Sequence, residues 1–509
     1  MAVEERTATV PGEDPSWGTD PGTAQGSASP RVPRPAGRPA RLRGAAHWTT
    51  PRRVRALTAL ALAALLAFAG VTASVLTGAR DAADEIGHRA APQAVRAADL
   101  YFALSDMDAQ AANLLLLGSD GRYAAQRPAV LAAYEQRRKQ ADADLEQAAE
   151  SVGGAAGARR AAQDELDGLG RYEALVAQLE DQENAAHAAP GQPPADALAS
   201  YRQATDLLRA TLLPGADTVA ANNAATVDHR YGDERSALSA GYWEVLAAGL
   251  LALALLAALQ RTLAVRYRRL LSPPLLLGGA LTAAALVWGL GAAAAADGQL
   301  HTAKANAYDS VIALGRARAV AYDSNADESR WLVDPTRAEQ YQQAFLTKSQ
   351  QIAGFDAVTA YPRYLPALNQ ATAEHRGSAA TVPFHGFLGD ELRNITFPGE
   401  QQAADRVLED YRTYQSDDTT IRTLQGQGRL GEAIAFDTGT GRGQSDGDFN
   451  QLSEDFDQVI AINQSAFDRA VADSDADLGA GAAAGLGALA AAALALTVLA
   501  VRPRLREYR

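Results

Sequence analysis

Residues 56–76 read ALTALALAALLAFAGVTASVL, a run of 21 positions without a charge. As a helix rising roughly 1.5 Å per residue it is about 31 Å long, the thickness of a bilayer's hydrocarbon core. Residues 275–296 form a second such run after Pro273-Pro274, a pair that suits a helix start, and residues 478–501 form a third. A shorter apolar stretch lies between. Tyr242, Trp243 and Leu263 extend it to 242–263, with aromatic residues at one interface and Arg261 at the other end. These runs predict an all-α membrane protein with four transmembrane helices.

The rest of the composition is polar. The chain has 509 residues, a net charge of −13 and 47% hydrophobic residues, yet its mean hydropathy is only −0.17. The apolar residues are therefore clustered. No cysteine is present, which excludes disulfides, thiolate nucleophiles and cysteine-ligated metal sites. The acidity argues against a nucleic-acid partner.

Charge then sets the expected orientation. Residues 1–55, the loop 264–274 with its flank, and the tail 502–509 hold 17 basic residues and six acids, a balance of +11. The two long segments between spans carry −24. Lysine and arginine near span ends mark the inner face. The expected arrangement is a multi-pass plasma-membrane protein with both termini cytoplasmic and segments 77–241 and 297–477 outside. Val71-Thr72-Ala73 resembles a small-residue cleavage site, but a 55-residue leader before a 21-residue apolar run reads as a retained anchor. Residues 1–55 hold eight prolines among Gly, Ser and Thr and read as a disordered basic tail.

Both outer segments read as helical bundles. Leu100, Leu104, Met107, Ala111 and Leu114 follow three-and-four spacing. In segment 77–241 breaks are expected at 118–121, at Gly153-Gly154, at 189–194 and at Pro214-Gly215. Segment 297–477 repeats the plan, with Asp106-Met107-Asp108-Ala109 aligning on Asp323-Ser324-Asn325-Ala326 and Leu115 on Leu332. The layout reads as a tandem duplication, against chance similarity of two alanine-rich helices. An irregular, aromatic-rich insertion at 382–399 reads either as a loop packed on the bundle or as a contact surface.

No pattern carries convincing catalytic or metal chemistry. Gly443-Gln444-Ser445-Asp446-Gly447 fits the hydrolase elbow by letters but lacks its strand, and Gly426-Gln427-Gly428-Arg429-Leu430-Gly431 lacks the strand–turn–helix of a dinucleotide site. Asp473, Asp475 and Asp477 begin like a calcium loop, yet Leu478 and Ala484 stand where Gly and Glu are needed. The histidines show no ligand spacing. Glu244, beside Trp243, reads as interfacial, and Gly481 with Gly485 as a helix-packing step. The expectation is a non-enzymatic protein without cofactor or metal.

Outward-facing bundles on membrane helices are the plan of chemoreceptors and sensor kinases, but the short inner segments leave no room for an output domain. Leu104-Ser105-Asp106-Met107-Asp108-Ala109, Ala321-Tyr322-Asp323-Ser324-Asn325-Ala326-Asp327-Glu328-Ser329 and the ending Arg502-Pro503-Arg504-Leu505-Arg506-Glu507-Tyr508-Arg509 carry a resemblance to GlnX-type four-span actinobacterial membrane proteins. By layout the resemblance spans roughly residues 50–509. It implies partners: an extracytoplasmic amino-acid-binding lipoprotein and a cytoplasmic PknG-type Ser/Thr kinase, joined by signal transduction across the bilayer. The alternative is a structural or cell-envelope interaction protein without ligand-dependent signalling.

Contact residues follow from that reading. Inside, Arg266, Arg268, Arg269, Arg504, Arg506 and Arg509 suit an acidic patch on the kinase or anionic lipid. Outside, Asp106, Asp108, Asp323, Asn325, Asp327 and Arg330 lie at matched heights on two helices. Acids on a soluble helix ordinarily form a solvated face. The sharper expectation is a seam between bundles within one chain, an intrachain pseudo-dimer in place of the usual homodimer, or a surface read by the lipoprotein.

Overall fold

The computed structural model describes residues 50–151, 156–267 and 272–506, of which 88% are helical. The expected basic tail falls outside the described residues, as do Gly153 and Gly154. In chain order the first half contains α1 (Thr50–Asp84), α2 (Ala91–Leu117), α3 (Arg127–Ser151), α4 (Ala156–Ala186), α5 (Ala195–Leu207) and α6 (Leu213–Tyr267). The second contains α7 (Pro273–His301), α8 (Asp309–Val333), α9 (Ala338–Ile352), α10 (Tyr364–Gly377), α11 (Phe387–Arg393), α12 (Glu400–Gly426), α13 (Leu430–Asp437), α14 (Ser445–Asp477) and α15 (Ala480–Arg506). No β-sheet forms among the described residues; one antiparallel bridge joins Gly354 and His385.

Among the described residues, four helical runs are long and apolar enough to cross a membrane: Arg52–Leu117, Ala195–Val265, Pro273–Val333 and Ser445–Pro503. Each contains one of the apolar segments read from the sequence. The spans pack in a ring in which α1 touches α6 and α15, and α7 touches the same two. Leu65, Phe68, Val245, Leu256, Leu286 and Ala493 fill its centre. Leucines at 60, 66, 250, 251, 276 and 277 point outward, as a lipid-facing surface requires.

Gly481 and Gly485 do not serve as the expected packing step. Among the described residues nothing lies within 4 Å of a Cβ built at either position. They lie on the outward side of α15, and the close approach happens elsewhere: a Cβ on Gly249 would meet Leu286 at 2.6 Å and one on Gly289 would meet Thr72 at 3.0 Å.

Beyond the spans each half follows one plan. A membrane-length helix passes through a π-helical turn into the first helix of its bundle: α1 through Glu85–Ala90 into α2, and α7 through Thr302–Tyr308 into α8. A third π turn, Leu208–Leu212, joins α5 to α6. The break expected at Pro214-Gly215 is therefore absent. Leu213 donates its N–H to Leu208, five residues back. The widened turn places Pro214 in the first turn of α6, where its missing N–H breaks no regular helical bond.

The two bundles have different interiors. Leucine and alanine from α2 to α6, with Tyr172 and Tyr201, fill the first. The second concentrates the aromatic residues, with Phe345, Tyr364, Tyr411, Tyr414, Phe449 and Phe456 buried together. The insertion at 382–399 packs onto this core: Phe384 lies 6.0 Å from Phe355 between ring centres, and Leu388 and Leu392 are buried. It is a packed loop with a short helix.

Candidate functional site

α2 and α8 lie against each other along the line where the halves meet. Both carry acids on the shared face, and those acids are not solvated. Asp108, Asp327 and Arg330 are 0% exposed and Asp323 is 3% exposed. A lone buried charge costs several kcal/mol, so such residues persist only where partners surround them.

Arg330 is the hub. Its guanidinium pairs with Asp108 on α2 and Asp327 on its own helix, and its Nε donates to the Tyr201 hydroxyl of α5 at 3.0 Å. Asp108 also accepts from Tyr172 of α4 at 3.0 Å and from Thr205 of α5 at 2.8 Å. Lys348 of α9 completes the second side, at 2.7 Å from Asp323 and 2.5 Å from Asp327. Arg209, in the π turn before α6, stands 3.8 Å from Asp327. Three cations thus meet three carboxylates, and the cluster is neutral. Removing one member of such a buried set costs about 3–5 kcal/mol, because the remaining charge is left uncompensated.

The network lies outside the apolar parts of the helices, and its charges hold one another. Burial pushes the Asp323 carboxyl up, but Lys348 and Arg330 outweigh it and hold the group below its usual range. Burial opposes the charge on Arg330, yet Tyr201, Asp108, Asp327 and Asp323 together raise its pKa well above the ordinary arginine value. Asp106 occupies a different environment, where burial dominates and raises its pKa. Its partners are Arg137 of α3 at 2.6 Å and Gln110 at 2.7 Å.

The seam continues on both sides of the hub. Arg202 donates through Nε to Asp334 at 2.7 Å, and Arg337 reaches Asp206 at 2.8 Å. Toward the spans Arg318 meets Asp99 at 3.3 Å, Lys304 meets Asp228 at 2.5 Å and Arg235 meets Asp297 at 3.3 Å. His88 and Asp475 close it at 3.1 Å just above the apolar segments. Uncharged contacts run alongside, with Ser329 donating to Asn113 at 2.8 Å and Phe102 stacked edge-on to Tyr322.

Of the residues expected from sequence, Asp108, Asp323, Asp327 and Arg330 come together in one cluster. Asp106 turns to α3, and Asn325 is buried on α8 without joining the network. Their burial corrects the solvated-face reading: Asp108 and Arg330 pair with each other across the two halves, Asp327 faces Arg209 of the other half, and Asp106 pairs within its own half. Arg266 stands at the end of α6, and Arg504 and Arg506 at the end of α15. Arg268, Arg269 and Arg509 lie outside the described residues. Ser445 of the elbow-like motif is buried and donates to Glu328 at 2.9 Å.

Sequence reading missed Arg209, Lys348, Tyr172 and Tyr201. Lys348 carried a faint signal as one of three lysines in an arginine-rich chain. The tyrosines carried none, since an aromatic on an amphipathic helix reads as core.

No curated protein and no solved structure matches the chain. Residues 82–232 match the family described as an actinobacterial sensor domain. That stretch runs from the end of α1 through the first π turn and the first bundle to the part of α6 below its apolar segment. The first half of the seam therefore belongs to a segment similar to an actinobacterial sensor domain, carried by membrane-length helices.

Proposed function

We propose that the chain is a transmembrane sensor or adaptor, without catalytic activity of its own, that relays extracytoplasmic amino-acid status to a cytoplasmic Ser/Thr kinase through a binding lipoprotein. The carrying observation is mechanical. Each of the four membrane-length helices continues into a bundle, and the bundles meet along an ion-paired seam. A shift of one half against the other is then a shift of spans. Packed interfaces of this kind tend to have discrete alternative arrangements, which is what a switch needs.

The similarity of residues 82–232 to a sensor domain supports the sensing half of the reading. The kinase and lipoprotein follow from the GlnX-type resemblance, and the inner arginines supply a basic face for an acidic partner. Both termini are cytoplasmic in this reading.

The test is a locked neck. His88 and Asp475 touch at the base of the seam and are accessible, and the chain has no native cysteine. Bridging His88→Cys and Asp475→Cys with a short, reducible bis-thiol reagent should abolish the kinase response to amino-acid withdrawal, and reduction should restore it. A locked protein that responds like the unlocked one would refute the relay.

A further inference from the structure

The seam opens into a cleft-like cavity of about 510 Å³, within the range of small-molecule sites. Both halves build its wall. Arg209 and Asp217 come from the first, and Arg316, Asp323 and Lys348 from the second.

Several of these groups have unspent hydrogen-bonding capacity. Arg316 has a buried Nε without a hydrogen-bond partner, and its guanidinium lies 3.6 Å from the exposed Asp217. Arg209 reaches Asp327 only at ion-pair distance. Asp323 is turned inward, with Lys348 at 2.7 Å from Oδ2 and Arg330 at 3.5 Å from Oδ1, which leaves Asp217 as the exposed acceptor of the lining. Ordinarily a buried polar atom without a partner in a native protein has a reason. Here a donor-rich pair of arginines and the exposed Asp217 carboxylate border one cavity, with Leu213, Val320 and Phe387 as apolar wall.

We propose that this cavity binds a small organic carboxylate that also carries a hydrogen-bond donor and an aliphatic tail. The carboxylate sits between Arg209 and Arg316, where charge-assisted bonds are strong. The donor meets the Asp217 carboxylate, and the tail lies on the apolar wall. Because Arg209 and Arg316 belong to opposite halves, such a ligand tightens the seam at its centre. In that sense the inference rests on the sensor reading and names a direct input to it.

Three isosteric acids separate the terms: leucine offers an ammonium donor, 2-hydroxyisocaproate a hydroxyl, and isocaproate none. Calorimetric titration of the full chain in lipid nanodiscs should show at least one donor-bearing acid binding about tenfold more tightly than isocaproate. Which of the two binds better reports whether the donor is charged. Arg209→Gln/Arg316→Gln should weaken that binding by about tenfold or more, with the helical circular-dichroism signal and its melting retained. Absence of binding by all three acids, equal binding of isocaproate, or binding indifferent to the arginine changes in a folded variant would each overturn the site. Binding that obeys these rules while a locked neck still signals overturns the sensor reading and leaves the site. A lock that works with no acid bound overturns the site alone.

Discussion

Asp323 and Asp417 are both buried carboxylates, and their neighbours push them in opposite directions. Lys348 and Arg330 outweigh burial at Asp323 and lower its pKa. At Asp417 burial and the carboxylate of Asp448 combine to raise the pKa to about 7. Asp410 with Asp455 and Glu391 with Glu400 repeat the second case, each also reaching about 7 chiefly through burial. All three raised groups belong to the second bundle. A raised acid binds its proton more tightly folded than unfolded, so the stability it brings is full below the ordinary carboxylate range. That stability is lost as pH rises from about 4 to about 7. Asp323 has the reverse sign: its contribution holds above the usual carboxylate range and is lost only on stronger acidification. Thermal unfolding of the whole chain should therefore occur at progressively lower temperature as pH is raised from 5 to 8. Asp417→Asn should flatten part of that slope and melt higher than wild type at pH 8. An Asp417→Asn profile parallel to wild type would exclude Asp417 as a titrating contributor.

At the scale of elements, the π turns decide how the helices enter the bundles. Ala91 donates to Ile86 and Asp309 to Lys304, five residues back in both cases. Such a turn holds one residue more than an α turn, so each first bundle helix is rotated relative to the span beneath it. Deleting the exposed Arg89 should let the turn relax to α geometry and keep the melting temperature within about 4 °C of wild type, a change of about 1 kcal/mol. Deleting Gln110 inside α2 rotates one side of the helix by about 100° against the other and should abolish the cooperative transition. Equal losses from both deletions would show that the turn absorbs nothing. Apolar run length is a strong signal in a chain whose bundle helices are amphipathic, and it located all four spans. Proline and glycine were weaker guides: 118–121 and 189–194 do separate helices, but Pro214 continues one because a π turn precedes it. Alignment of the two outer segments also placed Asp106, Asp108, Asp323, Asn325, Asp327 and Arg330 at matched heights, four of which join the cluster. It could not supply their partners, because Lys348, Arg209 and Tyr201 arrive from helices whose order around the bundle no single sequence encodes locally.

The whole molecule pairs its two halves within one chain, an arrangement that in two-span bundle sensors requires a second copy. Asp206 on α5 and Arg337 just before α9 lie at the end of the seam away from the spans, 2.8 Å apart and both partly accessible. Since the chain has no cysteine, Asp206→Cys/Arg337→Cys can be bridged by a short bifunctional thiol reagent without background. The charge balance of +11 on the short segments and −24 on the long ones predicts an outer position for this site. A membrane-impermeant reagent applied to intact spheroplasts should therefore give an internally bridged product that migrates as a single chain. Bridging that appears only after permeabilisation would invert the orientation while keeping the intrachain pair. Products found only at twice the chain mass would replace the pseudo-dimer with an ordinary homodimer, in which the Arg330 hub would be completed by a neighbouring copy. The monomer-sized product on intact spheroplasts is the outcome the seam requires. Its Arg202–Asp334, Arg330–Asp108 and Arg337–Asp206 pairs each join positions more than 100 residues apart in one chain, and the short loop between the second and third spans keeps those segments together at high effective concentration.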